Sequence, residues 1–563
     1  MQVAGESLVL GPLMRHVDET SAAIWVETRE ASTVVARVDD GTWAASTFAV
    51  HDHHYALVEV NGLEPGVVAE YTLEIGEQVV WPPPGSPYPR SRITTLKPDK
   101  PLRLAFGSCR TSISHDAKGN LIHGVDALRA YALRMARDDG ARWPDLVLFL
   151  GDQVYADETS EEMRAFIEAR RDIDEPPGAE LKDYEEYAHL YRLAWTESAN
   201  RWLLSTLPSL MIFDDHDIRD DWNTSAQWRR EMEATAWWQG RIVGGLASYW
   251  VYQHLGNLSP AERAEDEIWG QVAEHHGEAE LDLTATLDAF AARVDQEPDS
   301  YRWSYARDIG KSRLVVIDSR AARVLRPEKR SILDAAEMAW LDEQMRGDVD
   351  HLLVGTSLPF LLGPGLHRME AWNEAVASGG WGTRLQPLGE WVRWAVDLEH
   401  WAAFQEGFRQ VAGMAIEVAL GRRGRQPRTI TFLSGDVHHS YVAEVRRPAN
   451  AVPGTSRIIQ AVCSPIRNPL PRVMRFATAA VSYGLAGPLG RLATRSAKVP
   501  DPPFQWDIVK GPWYDNNLAT LEVVDDGLRI RWETGATDNG DQDNPRLEVV
   551  ASVTIADATG SAT

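Results

Sequence analysis

LVLFLGDQVYAD, residues 146–157, is the stretch that decides the fold of this chain. A short run of large apolar residues is typical of a strand buried on both faces, and here a glycine and a carboxylate follow it directly. The same order recurs as LRLAF (102–106) before GSCR, LMIF (210–213) before DDHD, and ITFL (430–433) before SGDVHH. Strand ends of this kind indicate an α/β protein whose active residues meet at one edge of a sheet.

The chain divides by pattern into two parts. Residues 1–97 contain short strand-like runs such as SAAIWVET (21–28) and AEYTLEI (69–75), bounded by turn residues. They predict a small β-sandwich that resembles a fibronectin-III module. Residues 98–563 alternate buried strands, including LVVID (314–318) and LLVG (352–355), with long helical stretches. The sequence therefore predicts an α/β domain whose helical insertions lie at 160–205, 225–300 and 385–415.

Composition limits the classes of function. The chain has 563 residues, 57 basic and 82 acidic, with a formal net charge of −25. Such a protein repels nucleic acid as a whole, so nucleic acid is not expected as an obligate partner. Its two cysteines, Cys109 and Cys463, give no disulfide framework. A basic leader and a long apolar span are not seen, so we expect a cytoplasmic protein without a transmembrane segment. The sequence gives no oligomeric state.

The side chains at the strand ends have a shared chemistry. Cys109 offers a thiol, Tyr155 a phenol, Asp152 and Asp436 carboxylates, and His438 an imidazole. If the carboxyl ends of these strands are neighbours, the side chains converge on one crevice. Sulfur, nitrogen and oxygen donors together are a set that binds metal ions.

The order GSC, GDxxY, DDHD and GDxH resembles the alkaline phosphatase D (PhoD-like) family of calcineurin-like metallophosphoesterases. It is also similar to the motif order of the purple acid phosphatases. The resemblance extends over about residues 100–550. It implies a two-layer β-sheet core flanked by helices, a dinuclear metal centre, and hydrolysis of a small-molecule phosphate ester.

The resemblance also implies a set of metal ligands. Asp152 is expected to bridge two metal ions, and thiolate, phenolate and imidazole ligands on the first favour Fe³⁺, with Zn²⁺ second. Asp215 stands where the motif has Asn, and Asp436 where it has the first His of GHxH. Both place hard oxygen ligands on the second site, which favours Ca²⁺, and less strongly Mg²⁺ or Mn²⁺, over Zn²⁺. The expected ligands are Cys109, Asp152, Tyr155, Asp215, Asp436 and His438.

One position departs from the family pattern. The VxxH motif should fall near Val354-Gly355-Thr356-Ser357, where the sequence has no histidine. The second site is therefore expected to lose a nitrogen ligand and to favour calcium further. Asp214 and Asp220 are additional candidate oxygen donors.

The expected catalysis follows from these ligands. Two cations would hold the phosphate and lower the pKa of a bound water, and the resulting hydroxide would attack phosphorus in line. His216 is expected to protonate the leaving oxygen, and Arg110 to neutralise charge on the phosphoryl group. Both phosphodiesters and monoesters are candidate substrates.

A basic segment leaves alternatives open. Residues 445–500 contain nine arginine and lysine residues and no aspartate or glutamate. They form either a flap that steers anionic substrates and contacts phospholipid headgroups, or a packed helix with solvated flanks. The first interpretation makes a phospholipase-D-like phosphodiesterase an alternative function. The missing VxxH histidine supports another, a catalytically silent metal- or ligand-binding protein.

Overall fold

The computed structural model describes residues 7–138, 140, 142–326, 329–446, 456–471, 486–525 and 527–556. The amino-terminal strands form two antiparallel sheets whose buried residues, such as Ile24, Val34, Val58 and Leu73, form one core. The first sheet follows the order β1-β2-β6-β5, and the second the order β4-β3-β7-β8 with β9 beside β7. The strands are β1 Leu8–Val17, β2 Ser21–Thr28, β3 Thr33–Val38, β4 Gly41–Ser46, β5 Phe48–Val50, β6 His53–Asn61, β7 Val68–Ile75, β8 Gln78–Trp81 and β9 Arg92–Thr94.

Two larger sheets form the rest of the core. One runs β12-β11-β10-β21-β22-β23 and the other β14-β15-β16-β17-β19-β18-β20. The strands of the first are β10 Arg103–Gly107, β11 Leu146–Leu150, β12 Ser209–Ile212, β21 Leu518–Val524, β22 Gly527–Ala536 and β23 Arg546–Ala556. Those of the second are β14 Tyr305–Ile309, β15 Ser312–Ile317, β16 His351–Thr356, β17 Thr429–Ser434, β18 Ser440–Val445, β19 Arg457–Val462 and β20 Trp506–Trp513.

The two core sheets stack on each other. Leu148 of β11 and Leu353 of β16 belong to the same buried cluster. Gly355 permits the close approach, since a Cβ atom there would lie 3.2 Å from the Leu150 side chain. β10, β11 and β12 run parallel to one another, as do β15, β16 and β17. The two-layer α/β fold predicted from the sequence is confirmed, and the strand-end motifs lie at the carboxyl ends of these parallel strands.

Helices cover the sheets and fill the predicted insertions. Residues 225–300 also contribute β13 (Leu281–Asp282), which pairs with β5 and extends a sandwich sheet. The helices are α1 Ala117–His123, α2 Ala127–Arg137, α3 Glu161–Arg170, α4 Tyr184–Trp195, α5 Ser198–Thr206, α6 Ala226–Glu233, α7 Trp238–Tyr249, α8 Leu255–Asn257, α9 Pro260–Glu265, α10 Trp269–Glu274, α11 Thr284–Gln296, α12 Ala335–Gln344, α13 Pro364–Ala377, α14 Gln386–Ala395, α15 Gln405–Ala419 and α16 Ala486–Ser496. Single 3₁₀ or π turns occur at Trp250–His254, Pro298–Ser300, Thr383–Leu385 and Trp401–Ala403.

The sandwich is attached to the core through buried polar contacts. Arg15 of β1 donates from Nη2 to the Gln253 carbonyl at 2.5 Å and to Asn257 Oδ1 at 3.2 Å. His53 of β6 lies between Glu27 of β2 and Glu185 of α4. The division at residues 97 and 98 falls in the connection between β9 and β10, and we keep it as a proposal.

No helix in the described part of the chain is long and apolar enough to cross a membrane. Within the basic segment 445–500, residues 447–455 and 472–485 lie outside the described residues, and most of the apolar run 476–490 falls among them. The described remainder contains β19 and α16.

Candidate metal centre

The thiol side of the site gathers residues from three strand ends. Ligand atoms of Cys109, Asp152 and His438 all lie within 4.8 Å of one another. The Cys109 Sγ atom is 3.2 Å from Asp152 Oδ2, and the Tyr155 hydroxyl is 3.4 Å from the same oxygen. The structure therefore brings together the residues that the sequence assigned to the first metal.

The backbone at these residues is strained. Cys109, Asp152, Asp436 and His438 have φ angles of 57°, 49°, 65° and 50°. L-residues other than glycine rarely adopt this left-handed conformation, and such strain is concentrated at functional sites. Asp217 holds two strand ends in place, because its Oδ2 accepts hydrogen bonds from the backbone N–H groups of Asp152 and Asp214, both at 2.9 Å.

The pKa values of the groups on the thiol side are those expected of a site that binds a cation. Burial, and then the charge of Asp436, raises the pKa of the Cys109 thiol to about 12. Burial also raises the pKa of Asp152 well above its usual range. The pKa of His438 falls to about 4, mainly through burial, so its imidazole is neutral and can donate a lone pair. A cation among these groups would offset the cost of ionising the thiol and the carboxyl.

The acidic side of the site is built around a buried arginine. The Arg320 guanidinium contacts Asp214 through Nε, Glu399 Oε2 through Nη1 at 2.5 Å, and Asp215 Oδ1 through Nη2 at 3.2 Å. Asp436 Oδ1 is 3.9 Å from Nη2. Asp215, Glu399 and Asp436 form a second group whose oxygens lie within 4.8 Å of one another. The carboxylate oxygens that could bind a metal ion here therefore surround the positively charged guanidinium of Arg320.

His400 contributes an imidazole beside the region of the missing VxxH histidine. Its Nε2 lies 2.9 Å from Asp436 Oδ2 and its Nδ1 lies 2.7 Å from Glu370 Oε1. Thr356, from the motif position itself, accepts a hydrogen bond from Trp401 Nε1 at 3.3 Å. Sequence reasoning missed His400 because it lies in a helical insertion rather than at a strand end.

His216 stands at the edge of the cluster. Its Nδ1 is 2.9 and 3.0 Å from the two oxygens of Asp157, and its ring centroid is 4.7 Å from that of Tyr155. Burial alone would lower the pKa of His216, but the carboxylates of Asp157 and Asp215 outweigh it and hold the pKa well above its usual value. The imidazole is therefore protonated near neutral pH and can act as an acid.

Arg110 has different neighbours from those expected of a phosphate-binding residue. Its Nε and Nη2 donate to Asp126 Oδ2 at 3.0 and 2.8 Å, and its Nη1 donates to the Ala194 carbonyl at 2.8 Å. Asp126 also caps α2 through the backbone N–H of Leu128. The guanidinium thus ties helices together, so we do not assign it to the substrate.

Unsatisfied oxygens test whether the cluster fits a metal ion. Asp152 Oδ1 and Asp214 Oδ2 are buried and have no hydrogen-bond partner among the described residues, while the neighbouring Asp215 Oδ1 is in an ion pair with Arg320. Oxygens of the same three carboxylates lie within 4.8 Å of one another. Buried carboxylate oxygens are normally paired, and leaving them unpaired is costly. These residues fit a cation, while the identity of the ion is a matter of proposal.

A cleft of about 840 Å³ opens beside the cluster. His216 and His438 line it, together with Leu121, Tyr514 and Asn516. An organic group attached to a phosphate at the cluster could occupy this space.

The fold and the site together indicate a class of protein: an α/β protein that binds metal ions with thiol, carboxylate and imidazole groups at the strand ends of two stacked sheets. The family model for the PhoD-like phosphatases matches residues 122–483, more than half of the chain, and a model described as a domain of unknown function, DUF7800, matches residues 5–93. The chain therefore belongs to the PhoD-like phosphatase family, a family of hydrolases.

One solved structure shows the same fold. A structure described as PhoD superposes with a TM-score of 0.57 at 14% identity, over 100% of this chain and 92% of that chain. A purple acid phosphatase from yellow lupin seeds matches with a TM-score of 0.48 at 11% identity, over 97% of this chain and 74% of that one. No curated protein sequence matches the chain. At 14% identity the superposition on PhoD shows the fold alone.

Proposed function

We propose that this protein hydrolyses phosphate esters, phosphodiesters as well as monoesters, at a dinuclear metal centre. The observation that carries the proposal is the presence of two buried oxygens without partners, Asp152 Oδ1 and Asp214 Oδ2, in a chain of a phosphatase family. A protein that only needed a stable core would not keep these carboxylates buried and unsatisfied.

Two sets of residues would hold the metal ions. Cys109, Tyr155 and His438, with Asp152, suit Fe³⁺ because they combine thiolate, phenolate and imidazole. The oxygens of Asp215 and Asp436, again with Asp152, suit Ca²⁺, with Mn²⁺, Mg²⁺ or Zn²⁺ as alternatives. Bound cations would supply Lewis-acid polarisation of the phosphate and activation of water.

The other residues have roles that follow from their contacts. His216 is held by Asp157 in its protonated form and lies on the wall of the cleft, where it can donate a proton from Nε2 to the leaving oxygen. Arg320 neutralises part of the charge of Asp214, Asp215 and Glu399, and so permits several carboxylates to share a buried space. The cleft receives the esterified group.

The proposal is tested by comparing bis(p-nitrophenyl) phosphate with p-nitrophenyl phosphate, with iron and calcium supplied. We expect both to be hydrolysed, and Asp152→Ala to lower kcat/KM by about 10³-fold or more, which is about 4 kcal/mol of transition-state stabilisation. Asp299→Ala, at an exposed position, is the matched control. Faster turnover of the diester would identify a phosphodiesterase.

Two results would contradict the proposal. Full activity in a folded Asp152→Ala protein would remove this carboxylate from the reaction. Failure of the metal-loaded wild type to hydrolyse either ester would favour the silent metal-binding alternative.

A further inference from the structure

Helix α14 presents an apolar face to solvent. Leu388, Trp391 and Trp394 follow one another at intervals of three residues along it, and their exposed fractions are 46%, 66% and 41%. Val396 directly after the helix is also exposed. At this spacing the side chains lie along one side of a helix, and this side faces outward.

The inward side of α14 is polar, the reverse of an ordinary surface helix. Arg393 is buried and donates from Nη1 to Glu390 at 2.6 Å. Gly389 packs against α13, where a Cβ atom would lie 2.6 Å from the Ala377 backbone nitrogen, and its carbonyl accepts a hydrogen bond from Asn373. The helix is fixed in this orientation by close contact, so its apolar face is held in water.

A basic helix, α16, packs against α13, as α14 does. In α16, Arg491, Leu492 and Arg495 are exposed, and Lys498 is exposed just beyond it. The turn at Gly379 and Gly380 lies near the start of α14 and near the end of α16. A Cβ atom at Gly379 would contact the Gln386 side chain at the start of α14, and one at Gly380 would lie 3.4 Å from the Ala497 carbonyl after α16.

We propose that the apolar face of α14 and the basic face of α16 together dock this protein onto an anionic lipid surface. Tryptophan side chains are suited to the membrane interface because one part of the ring is apolar and the other polar. Arginine and lysine residues beside them are attracted to anionic headgroups. The local charge argues for an anionic lipid surface rather than a second copy of this chain, because a symmetric dimer through this face would bring the exposed Arg491, Arg495 and Lys498 of one copy close to those of the other.

This surface borders the acidic side of the cluster. Asp397 follows Val396, and its carboxylate lies within 4.8 Å of ligand oxygens of Asp221 and Glu399. Docking through α14 would therefore bring the metal centre close to the lipid surface. The inference does not depend on which ester is hydrolysed.

The experiment measures sedimentation of the full chain with vesicles of phosphatidylcholine containing phosphatidylglycerol, and with vesicles of phosphatidylcholine alone. We expect binding to the anionic vesicles, weakened by added salt because salt screens the charges. Trp391→Ser with Trp394→Ser should lower the affinity at least tenfold. Arg491→Gln with Arg495→Gln should remove the preference for anionic vesicles. Val549→Ser, at an exposed apolar residue of β23, is the matched control.

Folding of each variant is checked by its thermal unfolding temperature, which should not fall because the changed side chains are exposed. Wild-type protein that fails to sediment with anionic vesicles overturns the proposal even if the variants do not fold. Equal binding by the tryptophan variant overturns it too. A dimer in light scattering that becomes a monomer on changing the tryptophans would show that a second copy covers this face instead.

Discussion

Two clusters of carboxylates and histidines in this molecule, one partly buried and one buried, differ in how their oxygens are satisfied. Where the sandwich meets α4, Glu27 Oε1 lies 2.8 Å from His53 Nδ1, and its Oε2 accepts a hydrogen bond from the Tyr252 hydroxyl at 3.0 Å. His53 Nε2 lies 2.9 Å from Glu185. At the strand ends, by contrast, Asp152 and Asp214 each keep a buried oxygen with no partner among the described residues.

The difference separates a structural cluster from a binding cluster. Charges that are buried with all their partners present hold two parts of a fold together. Buried oxygens without partners raise the free energy of the folded chain unless something binds there. The contrast predicts that changes at the first cluster affect stability, and that changes at the second affect metal content and catalysis.

The largest effect is expected from the thiol side of the metal centre. Cys109→Ala should remove one of the proposed metal ions and lower kcat/KM by about 10³-fold, because the cation would stabilise charge that develops in the transition state. Metal per chain, measured by mass spectrometry after dialysis, should fall by one ion. The unfolding temperature of metal-free protein should change little.

Cys463→Ala is the control for this change, since Cys463 is also a buried free cysteine but its Sγ contacts Asn517. It should keep both the metal and the activity. Unchanged metal content in the Cys109 variant would show that the cluster does not use its thiol.

A smaller effect is expected at the edge of the cluster. His216→Asn should lower kcat by about 10²-fold, the lower end of the range for loss of a general acid. The loss should be greater for phenyl phosphate than for p-nitrophenyl phosphate, because p-nitrophenolate leaves readily without a proton. Steady-state kinetics with the two esters measure this ratio. Equal losses for both would assign His216 to positioning rather than to proton donation.

The sequence predicted the thiol side of the site better than the acidic side. Cys109, Asp152 and His438 each follow a strand, and the order of parallel strands in a sheet places strand ends together. Arg320 also lies just after a strand, since Ser319-Arg320 follows the run LVVID (314–318), but an arginine there fits no ligand pattern. Its role depends on its contacts with Asp214 and Glu399, which only the packing of the two sheets determines.

Glu399 and His400 had no such signal. They lie in a connection between α14 and α15, where sequence periodicity describes helices and not what approaches the strand ends. The sequence also could not show that the apolar face of α14 is exposed. Periodicity shows that a helix is amphipathic, but it does not show which side faces the core.

The smallest expected effect tests the structural cluster. Burial lowers the pKa of His53, but Glu185 and Glu27 outweigh it and raise the pKa from 6.5 to about 9. The pKa of His53 is higher in the folded state than in the unfolded state. The interaction of protonated His53 with Glu185 and Glu27 therefore stabilises the fold fully below pH 6.5, and this stabilisation is lost as the pH rises through 9. We expect the free energy of unfolding to fall by roughly 2 kcal/mol over this window, less than the full pKa shift implies, because the His53 side chain is 20% exposed.

His53→Gln should remove this pH dependence, measured by urea unfolding at three pH values, while kcat stays unchanged. The control His276→Gln, at an exposed histidine, should keep the pH dependence. Parallel stability curves for the His53 variant and the wild type would mean that the imidazole is neutral in the fold and that its charge does not help to hold the sandwich to α4.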